Sequence, residues 1–491
     1  MELRNLISNL KIKKIIGNSD LEIEGIYHDS RKIKKNFLFV CINGFVFDGH
    51  NFIEEAIRKG AVALVVEKKV KTFPGITIIR VDNTRNALAI LSNQFYNFPS
   101  RKVKVIGVTG TNGKTTITYM LKRILDEAGY KTGLLGTAQN IIGSNINSSH
   151  MTTMESVDLQ KTIQEMVKQK NDYIVMEVSS HALQLSRVEG CNFDVAIFTN
   201  ISKEHFEIHE NFNNYLEAKK KLFLNLNRSK KEASRKFAII NIDDKCGKDF
   251  IACNKVNLIT YGIREKEANV RAGNINMSLK KTSFIAETPA GKIAVSSNIS
   301  GRYNIYNALA AIAVAITQNI PLDIISKALN KFHGAPGRYK LLDYGQNYTI
   351  IIDFAHNYHG LGSILQNLRL FAKHRIITVF GHGGEKYNKI RVTIGEVIGR
   401  FSDHVIITAD NPKSEDPLKI AQEIENGVKK YNKNYKIIVD RVKAINYALE
   451  IAEEEDIVLI AGKGPETEQV YHNKILHHND EEVVRKRLLG R

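Results

Sequence analysis

The sequence is poor in the residues that build disulfide frameworks, zinc sites and membrane spans. Its 491 residues include four cysteines, which are Cys41, Cys191, Cys246 and Cys253. None forms a Cys-x-x-Cys pair, so the pattern argues against a disulfide framework or a zinc site and favours a reducing cytosol. The longest apolar run that we find, residues 308–316, is far shorter than the roughly 20 residues of a membrane span. The N-terminal segment has an early acidic residue and no long apolar core, so we expect no secretory signal and a cytoplasmic protein.

The bulk composition excludes several non-globular classes. Hydrophobic residues make up 43% and charged residues 25% of the chain, which excludes extended disorder, collagen-like repeats and coiled-coil rods. At roughly 150 residues per domain, the length predicts about three domains. The formal charge of +18 favours anionic partners such as nucleic acid, acidic membranes or phosphorylated small molecules. The lysines are spread along the chain, however, so a solvated basic surface explains them equally well.

The order of the predicted elements indicates an α/β fold in three domains. Residues 1–98 alternate short β-rich runs with helical segments, which predicts a small α/β domain. Residues 99–335 contain buried-looking strands separated by helical patterns, which predicts a central, doubly wound parallel sheet. A break at residues 333–338 precedes a third α/β domain, residues 336–491. The predicted strands of the second and third domains are residues 103–109, 173–177, 195–199, 349–352, 376–380, 405–409 and 457–461.

Polar or glycine-rich motifs follow almost all of these strands, at the edge where open α/β sheets bind ligands. The strongest is Gly110-Thr-Asn-Gly-Lys-Thr-Thr116, between a strand and a helix. Its backbone N–H groups and the helix N-terminus would bind a phosphate. Lys114 would reach the terminal phosphates and Thr115 could bind Mg²⁺. Val108 stands where the first glycine of the usual Gly-x-x-x-x-Gly-Lys spacing would be, so a simple glycine turn is the alternative.

Residues after the next strands could complete a metal and nucleotide site. Glu177 and His205 offer oxygen and imidazole ligands, although each alone is more often a satisfied polar residue. Asn304 and Asn307 lie three residues apart on one predicted helix face and could read an adenine edge. Isolated asparagines would instead be caps or surface residues.

Three charged positions have weaker signals of their own. Arg338, after a Pro-Gly pair, and Asp353 with His356, at a strand end, could contact nucleotide or phosphate. The alternative for Asp353 and His356 is a local hydrogen bond. Lys219 opens a run of three lysines on a helical stretch, which alone indicates a solvated basic face.

Taken in order, these motifs resemble the Mur ligase family of ATP-dependent amino-acid ligases that build the peptidoglycan stem peptide. The resemblance runs the length of the chain and is closest to the members that add the third amino acid. It is carried by His28-Asp-Ser-Arg31, residues 110–116, Thr152-Thr153, Met176-Glu-Val-Ser-Ser-His181, Thr199-Asn200 with His205, Ala218-Lys219, Gly301-Arg-Tyr-Asn304, Pro336-Gly-Arg338, Asp353-Phe-Ala-His356, Asp410-Asn-Pro-Lys413-Ser-Glu-Asp416 and Gly462-Lys-Gly-Pro-Glu466.

The resemblance implies an N-terminal UDP-binding domain, a central P-loop-like ATPase and a C-terminal Rossmann-like domain that receives the amino acid. It implies ATP and Mg²⁺ as cofactors, and UDP-N-acetylmuramoyl-dipeptide and a free amino acid as partners of a monomer that is not inserted in a membrane. The implied reaction has two steps. The D-glutamate γ-carboxylate of the nucleotide substrate attacks the ATP γ-phosphate, giving an acyl phosphate and ADP, and the amine of the amino acid then displaces phosphate.

The resemblance also implies roles for individual residues. Catalysis falls to Lys114, Glu177, His205 and Lys219, and metal binding to Thr115, Glu177, His205 and a carbamylated Lys219. Lys220 and Lys221 are expected to keep Lys219 partly neutral and so reactive toward CO₂. The ATP-binding residues are Gly110, Thr111, Asn112, Gly113, Lys114, Thr115, Thr116, Asn304, Arg338 and Asp353. The UDP-sugar dipeptide is assigned Ser30, Thr152, Thr153, Ser179 and Arg187, and the amino acid Lys386, Asp410, Asn411, Pro412, Lys413, Gly462 and Glu466.

The amino-acid pocket departs from the family's pattern. Lys386 and Lys413 stand where the diaminopimelate-adding members carry arginines, and Pro465 replaces a histidine. Lysine holds a carboxylate by a single point charge, so Glu466 could favour a basic amino acid such as lysine or ornithine, with diaminopimelate as the alternative. A paralogue that joins another amino acid to a related nucleotide sugar is a further alternative.

Two other function classes compete with this interpretation. A folylpolyglutamate- or cyanophycin-type ligase would share the ATPase core, but the motifs at residues 28–31 and 410–413 disfavour it. A basic ATP-dependent nucleic-acid-binding protein would need an aromatic-rich basic surface, and this chain has no tryptophan and no recognisable nucleic-acid motif. We therefore expect no nucleic-acid partner.

Overall fold

Three large sheets follow one another along the chain. The computed structural model describes residues 1–44, 47–149, 151–202, 209, 211–385, 388–472 and 474–490. Among these residues, strands form sheets of five, eleven and six members and one two-stranded hairpin. Helices pack on the sheets, which confirms the predicted α/β class.

The first sheet has the strand order β1-β5-β4-β3-β2 and is parallel except where β1 joins β5. Its strands are β1 (Ile12–Ile16), β2 (Gly25–Tyr27), β3 (Phe37–Val40), β4 (Ala61–Val66) and β5 (Thr77–Val81), with helices α1 (Leu3–Leu6), α2 (Ile53–Arg58) and α3 (Thr84–Phe95). The Asn83 side chain accepts a hydrogen bond from Asn86 N and so caps α3, which packs Leu88 and Leu91 into the core.

The second sheet carries the predicted parallel core. Its strands are β6 (Lys104–Thr109), β7 (Thr132–Leu135), β8 (Gln139–Ile142), β9 (Asn145–Ser148), β10 (Tyr173–Glu177), β11 (Val195–Phe198), β12 (Phe237–Asn241), β13 (Asn257–Gly262), β14 (Val270–Met277), β15 (Thr282–Thr288) and β16 (Gly291–Ser297). The order is β16-β15-β14-β13-β12-β11-β6-β10-β7-β8-β9. The strands from β7 to β14 pair in parallel, whereas β8–β9 and β15–β16 are antiparallel extensions at the two edges. The predicted parallel sheet is therefore confirmed in its centre, and antiparallel strands extend it at the two edges.

Helices cover both faces of this sheet. They are α4 (Lys114–Glu127), α5 (Ser156–Lys168), α6 (Ser180–Gln184), α7 (Phe212–Arg228), α8 (Gly247–Cys253), α9 (Arg302–Thr317) and α10 (Leu322–Asn330). Helices α4 and α9 pack together on one face, and α5 and α7 lie on the other. The apolar run at residues 308–316 belongs to α9 and is almost entirely buried in this core. Of the helices in the described ranges, none combines the length and apolarity required to span a bilayer.

The third sheet has the order β17-β18-β22-β19-β20-β21, parallel except for β17. Its strands are β17 (Lys340–Leu342), β18 (Thr349–Asp353), β19 (Ile376–Phe380), β20 (His404–Ile407), β21 (Tyr435–Ile437) and β22 (Ile457–Ala461). The hairpin is β23 (Glu468–Tyr471) with β24 (Lys474–His477). Helices α11 (Tyr358–Arg369), α12 (Ile390–Phe401), α13 (Pro417–Val428), α14 (Arg441–Glu450) and α15 (Asp480–Leu489) surround it. The carboxyl ends of the parallel strands in the second and third sheets carry the predicted site residues.

Candidate active site

The glycine loop, residues 110–116, joins β6 to α4 and is held against the end of β11. Gly110 has φ +148° and Gly113 has φ +92°, backbone conformations that favour glycine. A Cβ atom on Gly110 would lie 1.8 Å from Thr199 Oγ1. The same Thr199 hydroxyl donates to Asn112 O at 2.7 Å. The glycine loop is therefore a close-fitted connection, which excludes an ordinary surface turn.

Two lysine ammonium groups converge on this loop. Lys114 Nζ donates to Gly110 O at 2.9 Å and to Thr111 O at 2.8 Å. Lys219 Nζ donates to the same Gly110 O at 2.8 Å and lies 4.4 Å from the centre of the Tyr215 ring. Lys219 is 1% exposed. The two ammonium groups place positive charge where the loop would hold a phosphate.

Lys219 differs from the two lysines that follow it. Lys220 Nζ donates to Glu217 Oε1 at 2.7 Å, and Lys221 Nζ donates to Gln184 Oε1 at 3.1 Å. Lys219 is the one buried residue of the three because α7 turns it toward the apolar face. A solvated basic face is therefore wrong for Lys219. Lys220 and Lys221 each contact another side chain. The feature that distinguishes Lys219 is therefore its burial, more than the positive charge of these two neighbours.

Glu177, at the end of β10, gathers hydroxyl and amide donors. Its Oε1 accepts from Thr115 Oγ1 at 3.0 Å and from Thr137 N at 2.8 Å, and its Oε2 accepts from Thr137 Oγ1 at 3.0 Å. The carboxylate is buried. Thr115 and Glu177 thus offer two adjacent hard oxygen ligands beside the glycine loop.

This pair fits the requirements of Mg²⁺. Magnesium commonly takes one or two protein oxygens and completes its shell with water and phosphate oxygens. Within the described part of the chain, no group of three or more His, Cys, Asp and Glu residues could hold a metal without such additions. His205, the third predicted ligand, lies outside the described residues.

A cavity of about 480 Å³ opens beside the glycine loop, between the second and third sheets. Asn304 and Asn307 line it from α9, and Asn307 Nδ2 donates to Asn304 Oδ1 at 3.0 Å. Arg338 also lines the cavity, and its Nη2 donates to Thr115 Oγ1 at 3.3 Å. Asp353 is a further lining residue. The structure thus brings Asn304, Arg338 and Asp353 together next to residues 110–116.

Burial and the Arg338 guanidinium determine the electrostatics around Asp353. Asp353 Oδ2 accepts from Tyr339 N at 2.7 Å, and Oδ1 accepts from Ala355 N at 2.7 Å. Burial raises the pKa of the Asp353 carboxyl, and the Arg338 guanidinium opposes that rise. His356 Nδ1 lies 3.0 Å from Phe354 O. Asp353 is therefore a fixed acceptor that shapes the cavity through backbone contacts.

The cavity also contains an acceptor that sequence reasoning missed. Asp243 follows β12 and accepts from Tyr306 Oη at 2.6 Å, as well as from the backbone N–H groups of residues 263–265. Burial, with the hydrogen bond to Asp243, raises the pKa of Tyr306 to about 12. Both residues line the cavity. The signal was available, since Asn241-Ile-Asp-Asp244 repeats the pattern of polar residues after a buried strand.

Four residues assigned to the UDP-sugar dipeptide lie together beside Glu177. Thr153 Oγ1 donates to Glu177 O at 2.9 Å and accepts from Ser179 N at 3.1 Å. Arg187 Nη1 donates to Thr153 O at 3.1 Å. Thr152 Oγ1 lies 3.0 Å from Thr137 Oγ1. This cluster borders the proposed phosphate and metal positions.

The fifth residue of that set, Ser30, begins a short 3-10 helix that follows β2 of the first sheet. It is buried, and its hydroxyl donates to Glu55 Oε2 at 3.0 Å. The first sheet meets α5 through Tyr27, whose Oη donates to Asp158 Oδ1 at 2.6 Å. Ser30 therefore lies against Glu55 of α2, apart from the cluster beside Glu177.

A buried lysine organises part of the predicted amino-acid pocket. Lys463 Nζ lies 3.2 Å from Asp410 Oδ1, 3.2 Å from Asn411 Oδ1 and 2.9 Å from Glu466 Oε2. Asn411 Nδ2 also donates to Glu466 Oε2 at 2.9 Å. Gly462, at φ +109°, makes the turn that begins this segment. The sequence motif gives Lys463 no role of its own, yet Lys463 contacts the Glu466 carboxylate that the sequence predicts as the partner of a substrate ammonium.

Lys413 lies in a second, more open part of the pocket. Its Nζ donates to Glu385 Oε2 at 3.2 Å, and Ser414 Oγ donates to Glu385 Oε1 at 2.8 Å. The Lys413 and Glu385 side chains are 45% and 47% exposed. Pro412 O accepts from Glu415 N at 3.0 Å and so shapes this turn. Lys386, also assigned to the pocket, lies outside the described residues.

Comparison with known proteins identifies the family. Three family models match: the Mur ligase family catalytic domain at residues 22–96, the Mur ligase middle domain at 108–315 and the Mur ligase glutamate ligase domain at 337–464. The UDP-N-acetylmuramoyl-L-alanyl-D-glutamate–2,6-diaminopimelate ligase of Alkaliphilus oremlandii is 44% identical over 487 residues, covering 99% of this chain and 98% of that protein.

Solved structures agree with the sequence match. A structure of a ligase with the same name has a TM-score of 0.69 and 26% identity, covering 100% of this chain and 99% of the other. The MurF ligase of Thermotoga maritima in complex with ADP shares the fold, with a TM-score of 0.62, 19% identity and coverage of 95% and 98%. With matching models over most of the chain and a full-length relative at 44% identity, this chain belongs to the Mur ligase family.

Proposed function

We propose that this chain is an ATP-dependent ligase that adds diaminopimelate, the third amino acid of the peptidoglycan stem peptide, to UDP-N-acetylmuramoyl-L-alanyl-D-glutamate. The observation that carries the proposal is the convergence of Lys114 and Lys219 on Gly110 O beside the Thr115–Glu177 pair. This arrangement suits phosphoryl transfer from ATP. The full-length likeness to a named diaminopimelate ligase supports the choice of substrates.

The first step of the reaction uses the glycine loop and the cluster around Thr153. Lys114 would hold the γ-phosphate while the substrate carboxylate, positioned by Thr153, Ser179 and Arg187, attacks phosphorus in line. Fixed cations lower the barrier because charge builds on the transferring oxygens. Mg²⁺ bound by Thr115 and Glu177 would neutralise further phosphate charge. The products are an acyl phosphate and ADP.

The second step forms the amide bond at the pocket of the third sheet. The neutral amine of the amino acid attacks the acyl carbon, phosphate leaves as the C–O bond breaks, and the proton that the amine loses passes to the leaving phosphate or to water. Asp410, Asn411 and Glu466, held around Lys463, would orient the amino-acid end of this nucleophile. Rate acceleration in this step comes chiefly from holding the two reactants in contact.

The Lys413–Glu385 pair favours diaminopimelate over lysine. The distal end of diaminopimelate carries an ammonium and a carboxylate, so it can replace this ion pair with one contact to each residue. Lysine offers only an ammonium for Glu385 and would leave the Lys413 charge unpaired. Glu466 gives lysine little advantage, because its carboxylate already contacts Lys463 at 2.9 Å.

Lys413→Arg should strengthen this preference. Exposed ion pairs are worth up to about 1 kcal/mol, so we expect the wild type to favour diaminopimelate over L-lysine by roughly fivefold in kcat/KM. An arginine fork can bind the distal carboxylate by two hydrogen bonds, which should raise the ratio several-fold further. The measurement is kcat/KM for diaminopimelate, L-lysine and L-ornithine, with Lys419→Arg on α13 as the matched control. A wild-type preference for lysine or ornithine would contradict the assigned substrate.

Glu177→Gln should weaken Mg²⁺ binding at the ATP site, and so raise the Mg²⁺ concentration that turnover requires, without unfolding the protein. Glutamine keeps an acceptor for Thr115 and Thr137 but removes the negative charge. We expect ATP turnover to fall by roughly 10- to 100-fold at low Mg²⁺ and to recover in part as Mg²⁺ is raised. The measurement is ADP release across a Mg²⁺ series, with Glu165→Gln, an exposed residue of α5, as control. Equal Mg²⁺ curves for the variant and wild type would exclude Glu177 as a metal ligand.

The experiment that tests the proposed function compares three classes of substrate in the presence of ATP and the same amino acids. Purified protein with ATP and an amino-acid mixture is given UDP-N-acetylmuramoyl-dipeptide, pteroyl-glutamate or DNA, and ADP release is followed. We expect release only with the UDP-sugar dipeptide and an amino acid. Release with pteroyl-glutamate would favour a folylpolyglutamate-type ligase, and release with DNA a nucleic-acid-dependent ATPase.

Several wider features belong to the same proposal. Domain limits of 1–98, 99–335 and 336–491 are supported by the placement of one large sheet within each range. A monomer is part of the same proposal and rests on the family resemblance. A cytoplasmic location suits ATP and a UDP-linked sugar as substrates.

A further inference from the structure

Two loops form the open part of the amino-acid pocket, and one buried arginine lies beneath both. The first loop, residues 381–385, follows β19, and the second loop, residues 410–416, follows β20. Arg391, near the start of α12, has a fully buried side chain. It was not among the residues that the motifs indicated.

Arg391 contacts the two loops at once. Its Nη1 donates to Glu415 Oε2 at 2.9 Å and its Nη2 donates to Glu415 Oε1 at 3.1 Å, which forms a two-pronged ion pair with the second loop. Nη2 also donates to Gly383 O at 3.3 Å, and Nε lies 3.4 Å from His382 Nδ1, both in the first loop. Nη1 further donates to Glu423 Oε2 at 2.8 Å on α13.

Glu415 transmits this contact to the pocket surface. The Glu385 backbone N–H donates to Glu415 Oε1, so the same carboxylate holds both Arg391 and the end of the first loop. From that position the Glu385 side chain meets Lys413 and Ser414 of the second loop. Arg391, acting through Glu415, therefore fixes the separation of Glu385 and Lys413.

We propose that Arg391 is a positioning residue for the amino-acid substrate: through Glu415 it sets the Glu385–Lys413 pair that receives the distal ammonium and carboxylate. This inference rests on the proposed function. The guanidinium suits the task because its planar fork reaches Glu415, Glu423 and the first loop in one fixed geometry. A lysine ammonium is a single point and cannot hold the same set of acceptors.

The test separates positioning from general stability. In Arg391→Lys and Glu415→Gln we expect KM for diaminopimelate to rise about tenfold, since small misplacement of binding groups is costly. The preference for diaminopimelate over L-lysine should fall toward one. KM for ATP and for the UDP-sugar dipeptide should stay within about twofold of wild type, because those sites lie on other elements.

Arg375→Lys is the matched control. Arg375 makes a comparable two-pronged pair with the buried Asp456, with an Nη2–Oδ2 distance of 2.6 Å, at the opposite end of β19 and β22. It should lower Tm without raising KM for diaminopimelate selectively. Wild-type KM and selectivity in Arg391→Lys and Glu415→Gln would overturn the inference. So would an equal rise in all three KM values with a Tm loss like that of Arg375→Lys.

The two proposals fail in different ways. A wild type that releases no ADP with any amino acid contradicts the proposed function and this inference together. A wild type with normal diaminopimelate ligation and unchanged Arg391→Lys and Glu415→Gln variants contradicts the inference alone.

Discussion

Lys219→Ala should leave the enzyme nearly inactive. Lys219 is buried and donates to Gly110 O. The substitution removes the Lys219 ammonium, or its carbamate, from the site. Lys114 is then the lysine that still donates to Gly110 O. CO₂ adds to a neutral amine to give an anion, which could help bind Mg²⁺ beside Thr115 and Glu177. We expect partial rescue by a short carboxylate such as formate or acetate.

The measurement combines activity with intact mass. A carbamylated Lys219 predicts lower activity in CO₂-depleted buffer and recovery when bicarbonate is restored. Lys220→Ala is the control, because Lys220 is the next residue and contacts Glu217 at the surface of α7. Full activity in CO₂-depleted buffer, together with an unmodified mass, would contradict carbamylation.

Lys114→Ala should reduce ATP turnover by a factor on the order of 10²–10³ with the fold intact. Its ammonium donates hydrogen bonds to Gly110 O and Thr111 O of the glycine loop. A bound γ-phosphate would attract this ammonium away from the two carbonyl oxygens. Without the Lys114 ammonium, less positive charge stabilises the negative charge that develops on the transferring phosphoryl group. The measurement is ADP release with both other substrates saturating.

Lys122→Ala is the control for this variant. Lys122 lies on the same helix but pairs with Asp126 at 2.8 Å, away from the loop. We expect near wild-type turnover from it and the same unfolding temperature in both variants. Near wild-type turnover in Lys114→Ala would show that residues 110–116 do not bind the transferred phosphate.

The parallel strands were predictable because they are buried on both faces. Residues 457–461 are continuously apolar and residues 376–380 are apolar except for Thr378, and β22 and β19 have those same bounds. The edge hairpins were not predicted because their strands mix exposed and buried positions. Strand β9, for example, is exposed along its whole length. Its pairing depends on the neighbouring strand more than on its own composition.

The site was predictable only where it follows the strands. Glu177 and Asp353 could be found because each ends a buried strand that meets others at one sheet edge. Asp243 follows β12 and carried the same signal as these two residues. Lys463 and Arg391 could not be given roles, because sequence position does not show which charged neighbours each one contacts in a chain with 70 basic and 52 acidic residues. The contact between Lys463 and Glu466 was hidden for the same reason.

The tight fit of Gly110 against Thr199 has a consequence for the energetics of nucleotide binding. Ordering one residue of a flexible chain costs about 1–2 kcal/mol of conformational entropy. In this enzyme the loop is already ordered by the end of β11, so that cost falls on folding and is absent when a nucleotide arrives. Nucleotide affinity should therefore depend little on loop rearrangement and decline only when the second sheet itself begins to unfold.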